Sequence, residues 1–93
     1  WIWGGASKGV LFLNHLSNLY PLLFQKVVGV VDLNIKKQSF YTPSTNIKII
    51  SEKEMFYKAM KGDVVLVMNP NYYDEIKKSV ESNVSHKLEI FNI

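Results

Sequence analysis

The 93-residue chain contains no cysteine. Disulfide scaffolds, thiolate zinc sites and cysteine nucleophiles are therefore excluded. Arginine is absent as well, and all 11 basic residues are lysine. Lysine is a point charge without the planar fork that reads guanine edges and clamps phosphate bidentately. The lysines are scattered among acids such as Glu52, Glu54, Asp74, Glu75, Glu81 and Glu89. The net charge of +3 thus describes a solvated surface, not a nucleic-acid footprint. No apolar run approaches the roughly 18 residues of a membrane span. No secretory leader is visible, because the stretch after Trp1 lacks a basic start and meets Gly4-Gly5 at once. The expectation is a cytoplasmic domain with neither nucleic acid nor membrane as partner.

Catalytic and metal-binding patterns are also missing. His15 falls within a helical stretch and His86 before a terminal strand, and no acid is placed to orient either. No serine follows a nucleophile-elbow pattern, and no H-x-x-x-H or carboxylate cluster suggests a metal. This chain alone is expected to carry no catalytic residue, no metal and no cofactor.

What is present is a hydrophobic fraction of 47%, too high for a disordered chain. One domain over residues 1–93 is expected, since two cores do not fit this length. The chain starts Trp1-Ile2-Trp3, a strand-like stretch with neither methionine nor lead-in. It reads as a piece cut from a longer protein.

Apolar stretches alternate with turn signals. Trp1–Trp3 predicts a strand, followed by Gly4-Gly5-Ala6-Ser7-Lys8-Gly9. Val10 to about Tyr20 predicts a helix with Phe12, Leu16, Leu19 and Leu23 on one face and Val10 and Leu13 on a neighbouring one, and Pro21 starts a further short turn. The run from Lys26 to Asp32 is β-branched and apolar on both faces, the mark of a parallel strand. A loop fills the interval from Asp32 to Asn46, and Ile47–Ile50 is a third strand. Ser51 with Glu54 forms a capping box opening a helix whose apolar face is Met55, Phe56, Ala59 and Met60, ended by Gly62. Asp63–Met68 is a strand and Asn69-Pro70-Asn71 a turn. A helix with Tyr72, Ile76 and Val80 spaced by four follows, then a last strand over Leu88–Ile93. This alternation predicts a small doubly wound, Rossmann-like α/β three-layer sandwich with a parallel five-stranded sheet in the order 3-2-1-4-5. Ligands of such sheets bind at the carboxyl ends of the strands, where the order reverses. That point lies between the turns after Trp3 and after Met68.

Four constellations fall near it. Gly4, Gly5, Ala6, Ser7, Lys8 and Gly9 fit G-x-A-x-x-G, one substitution from the dinucleotide pattern. Glycine permits a tight turn and close backbone approach, and the helix N-terminus offers N–H groups to phosphate. A plain strand-to-helix turn is the alternative. Asp32 ends the second strand 23 residues after Gly9, where dinucleotide folds hold a ribose diol, with Asn34 to assist. It reads equally as an aspartate capping the next turn. In the long loop, Lys36, Lys37, Phe40 and Tyr41 suit phosphate and a flat base, or else Phe40 pins the loop to the core. Asn69 and Asn71, with Tyr72 and Tyr73, suit a sugar or base, or else Asn71 caps its helix.

Together these segments resemble one family. The runs Trp3-Gly4-Gly5-Ala6-Ser7-Lys8-Gly9 with Leu13-Asn14, and Val30-Val31-Asp32-Leu33-Asn34-Ile35-Lys36-Lys37-Gln38, are similar to the C-terminal domain of S-adenosylmethionine-dependent sugar C-methyltransferases. So are Thr42–Ile49, Asp63–Val67 and Asn71–Ile76, in the same order along the chain. Ser39 and Ser44 stand where that pattern has glycine, Lys48 where it has proline, and Pro70 where it has tryptophan. The resemblance implies a substrate-side domain that helps close a nucleotide-sugar site. It implies that Lys8, Asp32, Asn34, Lys37, Gln38 and Asn71 contribute from this chain. S-adenosylmethionine, a zinc-binding segment and the catalytic base would belong to a preceding part, on whose methyl-donor domain this one packs. A stand-alone NAD- or nucleotide-binding module, and an interaction domain with a vestigial site, are the competing readings.

Overall fold

The structure is a computed structural model and describes residues 1–4 and 7–93. Five strands form one sheet in which every pairing is parallel and the order is β3-β2-β1-β4-β5. They are β1 (Ile2–Trp3), β2 (Val30–Val31), β3 (Ile49–Ile50), β4 (Val64–Val67) and β5 (Glu89–Asn92). The helices are α1 (Ser7–Leu19), α2 (Pro21–Phe24), α3 (Glu52–Lys58) and α4 (Tyr73–Asn83), the last preceded by a 3₁₀ turn over Pro70–Tyr72. The predicted fold class and strand order are both present.

The sheet is covered on both faces because its central strands are apolar on both. Successive strand residues point to opposite sides. Trp1, Trp3, Val31, Ile50, Val65 and Val67 pack with Met55 and Ala59 of the α3 segment and with Ile76 and Val80 of α4. Ile2, Val30 and Ile49 pack on the other side with Leu13 of α1, joined by Phe12 and by Phe24 of α2. The indole of Trp1 donates to Asp63 Oδ2 at 3.0 Å, and the same oxygen accepts from the Met60 amide at 2.9 Å. This carboxylate therefore ties the turn before β4 to the residue that leads into β1.

Element boundaries depart from the sequence expectations, each for a local reason. β2 begins at Val30, not at Lys26, because its partner β1 is two residues long and the register is Ile2 with Val30 and Trp3 with Val31. Val28 is accordingly exposed. The buried face of α1 is Leu13 and Leu16, whereas Leu19 and Leu23 are exposed. Pro21 starts a separate helical turn, so Leu23 does not continue the stripe of α1. The Ser51 hydroxyl does accept the Glu54 amide at 3.1 Å and caps α3. That helix ends at Ala59 in an extended conformation, which turns Met60 outward. Gly62, at φ +87, belongs to the following turn and is not the cap.

The long loop guards a sheet edge. Ser39 N donates to Ile49 O and Ile49 N donates to Phe40 O, both at 2.8 Å, so the loop runs along β3 and occupies groups that an edge strand otherwise exposes. Thr42 is its anchor: the buried hydroxyl accepts the Ile47 amide at 2.9 Å and lies 2.7 Å from Thr45 Oγ1. Phe40 is exposed and does not pin the loop, contrary to one expectation. At the other edge, the Tyr73 hydroxyl donates to the Ile90 carbonyl at 2.9 Å.

Candidate functional site

A cleft of about 820 Å³ opens at the carboxyl ends of β1, β2 and β4, at the reversal point of the strand order. Its floor is Trp3, Gly4 and Met68, where β1 and β4 leave the sheet side by side. On one side stand Lys8 and Gly9 from the first turn of α1. Asp32 and Leu33 follow β2, and Glu52 opens α3. Asn69 and Pro70 follow β4, and Tyr72, Glu75, Ile76 and Ser79 come from the 3₁₀ turn and α4.

Two glycines make the geometry possible. Gly4 sits at φ +115, in the region that side-chain-bearing residues rarely adopt. Gly9 packs so closely on the strand exit that an added Cβ would lie 2.0 Å from the Gly4 carbonyl oxygen. The start of α1 is thereby drawn down onto the end of β1, as the last glycine of a dinucleotide-type turn permits. Gly5 and Ala6 lie outside the described residues, and Ser7 is the first residue of α1. Lys8 reaches away from the turn: its ammonium donates to the Ile93 carbonyl at 2.7 Å.

The structure brings Gly4, Lys8, Gly9 and Asp32 to one cleft and leaves Asn34, Lys37, Gln38 and Asn71 outside its lining. Turn chemistry accounts for most of those left outside. Asp32 Oδ1 accepts the Asn34 amide at 2.9 Å, Asn34 Oδ1 accepts the Lys36 amide at 3.0 Å, and Gln38 Nε2 donates to the Asp32 carbonyl at 2.9 Å. These are side-chain-to-backbone bonds that build the loop itself. Asn69, not Asn71, caps the 3₁₀ turn, its Oδ1 accepting the Asn71 amide at 3.1 Å. The expectation that Asn71 caps a helix is corrected by one turn of backbone: the chain bends into 3₁₀ geometry at Pro70 before α4 begins.

Glu52, Glu75 and Ser79 were not marked by sequence. Glu52 and Glu75 look like ordinary first-turn acids that favour a helix N-terminus. The available signal was spacing: Tyr72, Glu75, Ile76 and Ser79 recur at three and four residues, the period of one helix face. Among the described residues the only ion pair is Glu54 with Lys58, so Glu52 and Glu75 reach the cleft as unpaired carboxylates. Three acids and one lysine line the cleft, and its walls between them are apolar. Such a surface accepts hydrogen bonds from neutral donors and stacks against flat or ring-shaped groups. Among the described residues no group of three or more potential metal ligands occurs, and no helix is long and apolar enough to cross a membrane.

Residues 1–90 match the C-methyltransferase C-terminal domain family, and the chain belongs to that family. A comparison with curated proteins finds no match.

Proposed function

We propose that this domain is the substrate side of an S-adenosylmethionine-dependent C-methyltransferase acting on a nucleotide-linked sugar in the cytoplasm. In this reading the methyl donor, the zinc-binding segment and the catalytic base belong to a preceding part of a longer chain, against which the domain packs. The family gives the methyltransferase association. The observation that carries the substrate role is the cleft at the strand-order reversal, where Gly4, Lys8 and Gly9 meet Asp32 and Asn69. Free amides at a helix start suit phosphate, and the carboxylates and amide around them suit the hydroxyls of a sugar.

The test is a titration of the 93-residue chain, followed by amide chemical shifts, with uridine diphosphate glucose, NAD and S-adenosylmethionine in turn. Shifts at Gly4, Gly9, Asn69 and Tyr72 with the nucleotide-sugar, and none with S-adenosylmethionine, are expected. Binding of S-adenosylmethionine in the cleft would overturn the assignment. Tighter binding of NAD would favour a dinucleotide module, which the shared placement of Gly4, Gly9 and Asp32 also suits. Silence towards all three, together with self-association, would favour an interaction domain, for which the exposed Leu19, Leu22 and Leu23 provide apolar surface.

A further inference from the structure

The cleft is electrostatically lopsided. Its one lysine lies on the α1 side, where Gly4 and Gly9 hold the strand exit and the helix start together. Its unpaired acids Glu52 and Glu75 belong to the first turns of α3 and α4. A diphosphate carries charge of the same sign as those carboxylates and is repelled by them. Sugar hydroxyls are neutral donors, and a carboxylate accepts from them more strongly than a neutral oxygen does.

We infer that the cleft wall formed by the 3₁₀ turn and α4, Tyr72 with Glu75 and Ser79, reads the sugar, and that Glu75 is the specificity-determining acceptor for its hydroxyls. This rests on the nucleotide-sugar reading above and adds a direction to it: phosphates towards α1, sugar towards α4. The three residues recur every three to four positions and line the same cleft. The ring of Tyr72, half exposed, offers an apolar face to the C–H side of a pyranose. Ser79 lies one turn beyond Glu75 and adds a hydroxyl that both donates and accepts. Glu75 itself is exposed on the first turn of α4, so its side chain is free to exchange water for ligand.

The experiment compares uridine diphosphate glucose with uridine diphosphate, by calorimetry or amide shifts, on the wild-type chain and on Glu75→Gln. The substitution preserves shape on an exposed position, and Glu81→Gln, outside the cleft on the same helix, is the control. Glu75→Gln should weaken the sugar-bearing ligand about tenfold, the loss of a hydrogen bond to a charged group. It should leave uridine diphosphate unchanged or tighten it, because a repelling charge is gone. Equal weakening of both ligands, or no change in either, would overturn the assignment of Glu75 while the nucleotide-sugar reading stands. Failure of the wild-type chain to bind the sugar nucleotide would overturn both.

Discussion

Replacing Gly9 by alanine tests the central packing contact of the site. Helix propensity alone makes the change favourable, because alanine in a helix interior is better than glycine by about 1 kcal/mol. The structure predicts the opposite sign. The new methyl would lie 2.0 Å from the Gly4 carbonyl oxygen and 3.7 Å from Met68 Cγ. The first contact is short by roughly 1.5 Å of the separation at which nonbonded atoms settle. Gly4 cannot easily retreat, because it already sits at a φ of +115 at the exit of β1. Its amide is also held to the Val31 carbonyl at 2.7 Å. Relief must come from lifting α1, which carries the fully buried Leu13 away from Ile2 and Val30. Overpacking of this kind costs about 1–3 kcal/mol and occasionally more. A backbone contact this short puts the cost at the upper end of that range, about 3 kcal/mol, so after the propensity gain is subtracted a net loss of about 2 kcal/mol remains, which for a domain of this size lowers Tm by roughly 8–16 °C. Thermal unfolding followed by circular dichroism measures it. Gly62→Ala is the companion variant, since nothing lies within 4 Å of that position and only its φ of +87 is at stake. A Gly9→Ala protein as stable as wild type, or more so, would refute the packing argument and with it the account of why this turn needs glycine.

Three further outcomes follow from the same coordinates. Ser39 and Ser44 sit at φ 73 and 66, so Ser39→Gly and Ser44→Gly should each raise stability by up to about 1 kcal/mol, the left-handed strain partly offset by the entropy of the unfolded glycine; chemical denaturation measures this, and a loss at both would show the strain to be illusory. Thr42→Val nearly keeps volume but removes the acceptor of the half-buried Ile47 amide, at a cost of about 1 kcal/mol, and hydrogen exchange should become faster at Ile49, whose amide the loop holds. The carboxyl of Glu54 is held below its ordinary value, chiefly by its hydrogen bond from Lys58, with the lysine charge adding to it. Its contribution is therefore full above the ordinary carboxylate range and is lost as pH falls through the lowered value. The small difference in Tm between wild type and Glu54→Gln should vanish in acid and in high salt, and a difference that persists in both would exclude the ion pair as its source.

How far the sequence reveals this molecule depends on whether the determining chemistry is local. The apolar runs at Val30–Val31 and Val64–Val67 announce strands of a parallel sheet, the first buried on both faces, and their alternation with helices leaves few topologies besides 3-2-1-4-5. The Ser51–Glu54 cap is legible because both partners lie within one turn. Strand length is not legible, because it is set by a neighbour: β1 ends after Trp3 as Gly4 turns the chain, and β2 and β3 stop with it at two residues each. The loop before β3 reads as a ligand-binding segment because lysines and aromatics are what such segments contain. It also covers a sheet edge through the backbone of Ser39 and Phe40, which has no side-chain signature.

The same distinction bears on how much the glycine pattern says about a ligand. Gly4 and Gly9 are accounted for by a turn and a contact within the protein, so their presence would be required even if nothing bound there. Asp32 and Asn34 occupy positions that a ribose would suit, yet each spends an oxygen on the turn that follows. Residue types shared with nucleotide-binding folds thus also serve the fold. The functional argument gains from two further features: a cleft left open at the switch point, and carboxylates at Glu52 and Glu75 that face it unpaired. Those acids come from two different helices, and no single element contains them both. Their conjunction is a product of the strand order, which carries β3 to the far edge of the sheet and returns the chain through α3 to β4.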